Sequence, residues 1–357
     1  MKSLTAIDAF CGAGGLSIGL ANVGFDILLG FDLDKNCVET LKKNSKTIRH
    51  TALQSDVKDM LGGKLLKHAK ISKGELDLLA GGPPCQGFSV QRTIGGDRDI
   101  RNLLVDDYGD LIAEVEPRFF LMENVPGIGG KRGREIVDRF KDRMIEIGYF
   151  CHEKILDAQD YGVPQRRRRF IVVGEKVTGT GPLFEWPRPV RTRAANTVRT
   201  TIGHLPAPPT DGSDHPDFYG HRSDRLSELN KARLMALNEG QARDDLPDHL
   251  LADCHKVSSD VIGHRNVYGR MTWDEVAPTI TARFDSFTRG KFGHPDQLRS
   301  ISLLEGALLQ TFPESYHFSG NKVDIARQIG NAVPPKLAAA IGRSIARAII
   351  LRCRSEQ

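Results

Sequence analysis

The feature that most constrains this chain is an alternation of short β-prone runs with helix-like segments through its first half. Leu4 to Phe10 is β-prone and runs into the turn Cys11-Gly12-Ala13-Gly14-Gly15, and a helix-like segment follows with Leu16, Ile18, Leu20 and Val23. The apolar run Asp26 to Phe31 ends at Asp32, and Lys35 to Lys43 reads as a helix. Leu76 to Ala80, Arg118 to Met122 and Phe170 to Gly174 are further short runs, with helices expected between them over 102–114 and 134–147. Strands that alternate with helices imply an α/β fold, a mostly parallel twisted sheet with helices on both faces.

After Gly174 the texture changes. From 178 to about 253 the chain is rich in Pro, Arg, Asp and His and has weak periodicity, which reads as a separate, irregular module. Regular pattern returns over 300–312. A final helix starts near Pro334-Pro335, where proline suits a first helical turn. Its Leu337, Ile341, Ile345 and Ile349 form one apolar stripe, expected to pack against the sheet.

Composition narrows the class. A chain of 357 residues with 39% hydrophobic and 27% charged content is an ordinary globular protein with room for a large domain and a smaller one. The six cysteines are scattered, and the absence of a C-x-x-C pair argues against both a zinc site and a disulfide framework. Cys254-His255, with His249 and His264 nearby, fits no standard metal spacing, so no metal is expected. This cysteine usage suits a reducing cytoplasm. Asp8 interrupts the first apolar run too early for a signal peptide, and no run is long enough to span a membrane. The net charge of +5 permits nucleic-acid binding without establishing it. The basic clusters are more local: Arg166 to Arg169, then Arg188, Arg191, Arg193 and Arg199.

Several segments hold residues suited to chemistry. In Gly81-Gly82-Pro83-Pro84-Cys85-Gln86-Gly87-Phe88-Ser89, two prolines forbid continuation of strand or helix and place one thiol just beyond a strand's C-terminal end. In open α/β sheets, ligands bind at that end. The turn Phe10 to Gly15 lets backbone approach a cofactor at a helix N-terminus. It is an incomplete dinucleotide fingerprint, because the third glycine would fall at Ser17. Asp32 sits where such folds place a carboxylate for ribose hydroxyls, or else it caps the helix from Lys35. Asp56, at the end of a third possible strand, is a candidate for the adenine side. Glu123, in Glu123-Asn124-Val125, ends a buried run and needs a partner there. In Gln165-Arg166-Arg167-Arg168-Arg169, strand alternation points Arg167 and Arg169 to one side and Arg166 and Arg168 to the other.

Taken in order, with Gly330-Asn331-Ala332-Val333 near the C-terminus, these segments resemble the cytosine-C5 DNA methyltransferase family in its unpermuted motif order. Ala277-Pro278-Thr279-Ile280-Thr281, His294-Pro295 and Leu298-Arg299 to Phe312-Pro313 also resemble that family's scaffold, with Ser302-Leu303-Leu304-Glu305 standing where Thr-x-x-Glu is more usual. The resemblance implies a Rossmann-like S-adenosylmethionine-dependent methyltransferase fold. It implies a catalytic domain over 1–180, a small domain over 184–318 whose target-recognition region is about 184–276, and a return to the catalytic domain over 319–357.

The activity implied is that of a DNA (cytosine-5-)-methyltransferase. It would transfer a methyl group from S-adenosyl-L-methionine to C5 of a flipped-out cytosine in a short sequence of double-stranded DNA, leaving S-adenosyl-L-homocysteine. Cys85 would add to C6, Glu123 would act at N3 and the exocyclic amine, and Arg167 at the ring carbonyl, with Arg169 on the same face. The cofactor would lie against Phe10, Gly12, Gly14, Gly15, Leu16, Asp32, Leu33, Asp56, Val57, Pro83, Leu104, Asn331 and Ala332. DNA would meet Ser89, and Gln91, Arg98 and Arg101 on a mobile lid over 90–101 hinged at Gly95-Gly96. It would also meet Arg188, Arg191, Arg193 and Arg199 at the start of the irregular module. Such an enzyme is expected to be a cytoplasmic, nucleoid-associated monomer of prokaryotic or phage type, without membrane contact. Whether a cognate restriction endonuclease accompanies it stays open, as does the recognition sequence. Rival readings are a tRNA cytosine methyltransferase of the same family, a catalytically silent DNA-binding protein, and a nicotinamide-dependent oxidoreductase. The module between Gly174 and Ala277 favours DNA over tRNA, the intact Cys85, Glu123 and Arg167 disfavour the silent scaffold, and Ser17 disfavours the oxidoreductase.

Overall fold

A computed structural model describes residues 3–84, 103–131, 133–177, 179, 181–190, 196–251 and 267–355. The chain divides into two compact units. The first takes Met1–Tyr161, Arg168–Pro189 and Ala332–Gln357, and the second takes Gly162–Arg167 and Val190–Asn331. The boundaries expected at 180, 184 and 318 compare with observed ones at 189 and 331, and the excursion at 162–167 had no counterpart in the sequence reading.

The first unit alternates β1 (Leu4–Ala9), α1 (Gly15–Ala21), β2 (Phe25–Asp32), α2 (Lys35–Lys43), β3 (Thr51–Gln54), α3 (Lys64–Ala69), β4 (Leu78–Gly81), α4 (Leu103–Val115), β5 (Phe119–Asn124), α5 (Arg134–Glu146), β6 (Tyr149–Asp157) and β7 (Arg168–Lys176). The strand order is β3-β2-β1-β4-β5-β7-β6. The first five strands run parallel, while β7 is antiparallel to both β5 and β6. The central strands β4 and β5 are buried at every position, and they read as apolar runs up to Glu123 and Asn124. Its core includes Ile7, Leu29, Leu79, Tyr108, Phe120, Phe140 and Val172.

Local chemistry sets the helix ends. Asp34, not Asp32, caps α2 by accepting from Asn36 N, and Lys42 and Lys43 sit in that helix's last turn, where cations favour the dipole. The second unit holds α6 (Val198–Ile202), α7 (Glu228–Met235), α8 (Leu303–Leu309) and α9 (Lys322–Asn331). The chain returns to the first unit in α10 (Pro335–Ser355), where Leu337, Ile341, Ile345 and Ile349 are all buried. That helix packs on α1. A side chain at Gly15 would meet Val333 O at 2.1 Å, so only glycine fits there.

The second unit has little regular structure, and buried arginines satisfy its loop carbonyls instead. Arg270 donates to the carbonyls of Leu234, Leu237, His294 and Gln297, and Arg233 donates to Leu250 O. Such carbonyls would cost free energy if left dry and unpaired. Ser302 caps α8 in a box with Glu305, whose two carboxylate oxygens each take an Arg299 terminal nitrogen at 2.7 Å. The Ser in place of the more usual Thr therefore performs the capping itself.

Candidate active site

Four parallel strands deliver their C-terminal ends to one edge of the first unit. The β1 end carries the glycine-rich turn, β2 ends at Asp32, β4 leads into Pro83-Pro84, and β5 ends at Glu123-Asn124. Because β7 runs antiparallel to β5, with Asn124 opposite Phe170, it brings its first residues to this same edge. The sheet's order reverses between β1 and β4, the position where open α/β sheets bind ligands.

The turn after β1 is unusual in its backbone. Phe10 has φ 56°, a left-handed conformation that a bulky residue adopts at a cost of about 1–3 kcal/mol. Its half-buried ring packs 6.4 Å from Phe31 and 6.2 Å from Tyr108. Gly12 has φ 52°, and nothing lies within 4 Å of where its side chain would be. Gly12 N donates to Asp32 Oδ2 at 2.8 Å, and Asp34 N donates to Asp32 Oδ1 at 2.8 Å. Asp32 thus holds the turn against the end of β2. An ionised carboxylate offers about four lone-pair positions, so each oxygen keeps capacity for a hydroxyl donor. Burial holds the Asp32 carboxyl above the ordinary range, partly offset by these backbone donors.

Beside Asp32, Leu33 leaves 65% of its surface exposed, an apolar ledge next to a carboxylate. Asp56 is half-buried and caps a single helical turn by accepting from Lys58 N at 3.0 Å, while Val57 is buried beneath it. An open cradle at Gly12, a carboxylate with spare acceptor capacity and an exposed aliphatic neighbour fit a nucleoside-bearing cofactor. Gly14 has φ 81°, Leu16 is buried on α1, Leu104 is half-buried and Pro83 is buried. Ala332 is buried near the Gly15 position, and Asn331 is the exposed last residue of α9 in the second unit.

Glu123 and Arg169 form the acid and cation pair of this edge. Arg169 Nε lies 2.6 Å from Glu123 Oε1, and each side chain is only 11% exposed. Glu123 Oε2 faces Gly82, where a side chain would approach it to 3.1 Å. The carboxylate therefore abuts the turn that leads to Cys85. Asn124 Nδ2 donates to Pro83 O at 2.9 Å and pins that turn to β5. Cys85, Ser89, Gln91, Arg98 and Arg101, with the whole lid and its Gly95-Gly96, lie outside the described residues, as do Arg191, Arg193, Cys254, His255 and His264.

The expected alternation along 165–169 holds in exposure: Arg166 and Arg168 are exposed, and Arg167 and Arg169 turn inward. The two inward arginines nevertheless have different partners. Arg167 precedes β7 and belongs to the second unit, where it is fully buried and donates to Ile280 O and Gly330 O, both at 2.8 Å. Its neighbour Gln165 accepts from Ile280 N, and Arg166 N donates to Ala277 O, so this segment is zipped onto 277–280. Arg188 is exposed. Arg199 is paired with Asp274 at 2.7 Å and lies 5.2 Å from the Trp273 ring.

Sequence reasoning missed two residues. Asp8 is fully buried in β1 and accepts from Ser17 Oγ at 2.6 Å and Ser17 N at 3.1 Å. Burial pushes its carboxyl up to about 7, against the lowering effect of those bonds. Ser17, read only as a missing glycine, is thus the partner of Asp8 and ties α1 to β1. Asn124 is the other: its sequence motif gives no sign of its bond to Pro83 O. No group of His, Cys, Asp and Glu able to hold a metal occurs among the described residues, and none of their helices is long and apolar enough to cross a membrane.

This sheet is the Rossmann-like α/β fold of S-adenosylmethionine-dependent methyltransferases. The family profile described as C-5 cytosine-specific DNA methylase matches residues 4–347, and the chain belongs to that family. It is 37% identical over 347 residues to the Type II methylase M.HgiDII of Herpetosiphon aurantiacus, covering 96% of this chain and 94% of that one. It is 34% identical over 349 residues to the Type II methyltransferase M1.HphI of Haemophilus parahaemolyticus, covering 96% and 87%. The crystal structure of Spodoptera frugiperda DNMT2 shares the fold, with TM-score 0.60 at 17% identity over 96% of this chain and 100% of that one.

Proposed function

We propose that the chain methylates C5 of a cytosine flipped out of a short, defined sequence in duplex DNA, through a covalent bond between Cys85 and C6. The observation that carries this reading is the Glu123–Arg169 pair, set against the turn that leads to Cys85. C5 of cytosine is a poor carbon nucleophile. Adding the Cys85 thiolate to C6 makes C5 enamine-like, and later loss of the C5 proton lets the thiolate leave. Bound S-adenosylmethionine supplies the electrophilic methyl group. Negative charge that builds on the ring must be met by fixed donors. Glu123, carrying a proton, gives it to N3 through one oxygen and accepts from the exocyclic amine through the other. We assign the ring carbonyl to Arg169, because Arg167 already serves the carbonyls of Ile280 and Gly330. Asp32, Gly12 and Leu33 would hold the nucleoside half of the cofactor.

Flipping the base costs a few kcal/mol of unstacking and unpairing, which contacts to DNA must offset. The irregular second unit is the candidate for target recognition. The Type II names of the relatives favour DNA over tRNA as substrate. The test is transfer of label from S-adenosylmethionine to duplex DNA or to tRNA, with Cys85→Ser as the control. Label on duplex DNA, lost in Cys85→Ser while cofactor binding persists, supports the reading. Label on tRNA alone overturns it.

A further inference from the structure

We propose that a polar cleft within the second unit binds a phosphodiester of duplex DNA and so fixes that unit on its substrate. The proposal rests on the reading above that the chain acts on duplex DNA. The cleft has a volume of 290 Å³ and is lined by residues 224–227 leading into α7, Asn230, Arg283, residues 285–288, Ser300 and Lys322 at the head of α9. Its carboxylates face cations, and Asp285 Oδ2 makes no hydrogen bond among the described residues. Lys322 Nζ bonds Asp224 and lies 3.1 Å from Asp285 Oδ2, and Asp285 is 3% exposed. Asp285 Oδ1 accepts from Arg283 Nε at 3.1 Å.

That bond fixes one edge of the Arg283 guanidinium. Its side chain is still 47% exposed, and its two terminal nitrogens have no partner among the described residues. Arg225 lines the same cleft, is exposed, and is likewise without a partner among the described residues. Ser300 Oγ is buried at the wall and has no hydrogen-bond partner among the described residues. Three cations against two carboxylates leave the cleft net positive.

These features select an anion. A guanidinium held by a buried carboxylate presents its outer edge as a ready-made fork for two phosphate oxygens. The concave shape decides between the two anion-like faces of DNA. Base edges are recessed in the grooves and are reached by side chains that protrude. Phosphates stand out from the duplex, so a concave, donor-lined cleft suits them. Contacts of this kind position a protein without reading sequence.

The test measures duplex binding by the full chain across a salt series. It uses a duplex carrying the methylated sequence, found by bisulfite mapping, and one lacking it. Arg225→Gln and Arg283→Gln should each weaken both duplexes by the same factor and lower the log–log salt slope by about one, and the double variant by about two. Unchanged affinity and slope in both single variants would overturn the proposal. So would a loss confined to the duplex with the methylated sequence, which would make the cleft a base reader. Arg225 has no partner to lose among the described residues, and Arg283→Lys keeps a charge beside Asp285. These two variants decide the matter if Arg283→Gln fails to fold. A wild type that binds duplex with the expected slope but leaves no methyl mark would fault the proposed activity, not the cleft.

Discussion

Asn124 Nδ2 donates to Pro83 O at 2.9 Å, so the last residue of β5 holds the proline turn from which Cys85 follows. Removing this donor leaves a buried carbonyl dry, a loss of about 1–3 kcal/mol. It also frees the turn, and a misplacement near 1 Å can cost on the order of 10²-fold in rate. Asn124→Ala should therefore lower kcat far more than it weakens cofactor binding. Single-turnover kinetics beside calorimetry read the two effects separately.

The arginines of Gln165 to Arg169 should divide by role. Arg169→Ala removes a preorganised cation from the Glu123 edge, and kcat should fall by about 10²–10³. Arg169→Lys should recover little of it, because a point charge does not replace a fork. Arg167→Met instead strands the carbonyls of Ile280 and Gly330 and should appear as a stability loss of about 2–5 kcal/mol. Thermal melts of the three proteins, set beside their rates, check the division.

Asp32 joins the cofactor turn to the end of β2 through Gly12 N and Asp34 N. Asp32→Ala should weaken S-adenosylmethionine binding by about 1.5–3 kcal/mol, the range for hydrogen bonds to a charged group. Asp32→Asn keeps an acceptor and should lose less. Unchanged affinity for the cofactor in Asp32→Ala, measured by calorimetry, contradicts the role.

Asp8 gives the fold a pH dependence whose sign is fixed. Its carboxyl rises from 3.8 to about 7 in the folded chain. Between those values the folded state keeps a proton that the unfolded state has released, so stability falls as pH rises. The contribution is full below the ordinary value and lost as pH passes about 7, with an upper bound of about 4 kcal/mol. Asp8→Asn removes the titration. Urea midpoints should decline from pH 5 to 8 in the wild type and decline less in Asp8→Asn.

Much of the fold was legible because its signals are local. The apolar runs at β1, β2, β4 and β5 and the stripe of α10 each bury against a covered sheet, and their hydrophobic pattern says so without tertiary help. β6 was not legible: Tyr149 to Asp157 mixes exposed and half-buried positions at the sheet's edge, so no clean period marks it. The site residues were legible as residue types in order, not as partners. Strand alternation turned Arg167 and Arg169 the same way, and it could not reveal that they serve different units. The Asp8–Ser17 bond and the Asn124–Pro83 bond are likewise tertiary facts, since each depends on where a strand end meets a turn.

The most direct test of the central claim is covalent trapping on DNA with 5-fluorocytosine at the methylated position. Fluorine at C5 cannot leave as a proton would, so the Cys85–C6 bond should persist. The account predicts a cofactor-dependent protein–DNA adduct that survives denaturation, maps by mass spectrometry to the peptide containing Cys85, and is absent in Cys85→Ser. An adduct formed by Cys85→Ser, or methylation of ordinary DNA by that variant, would contradict it.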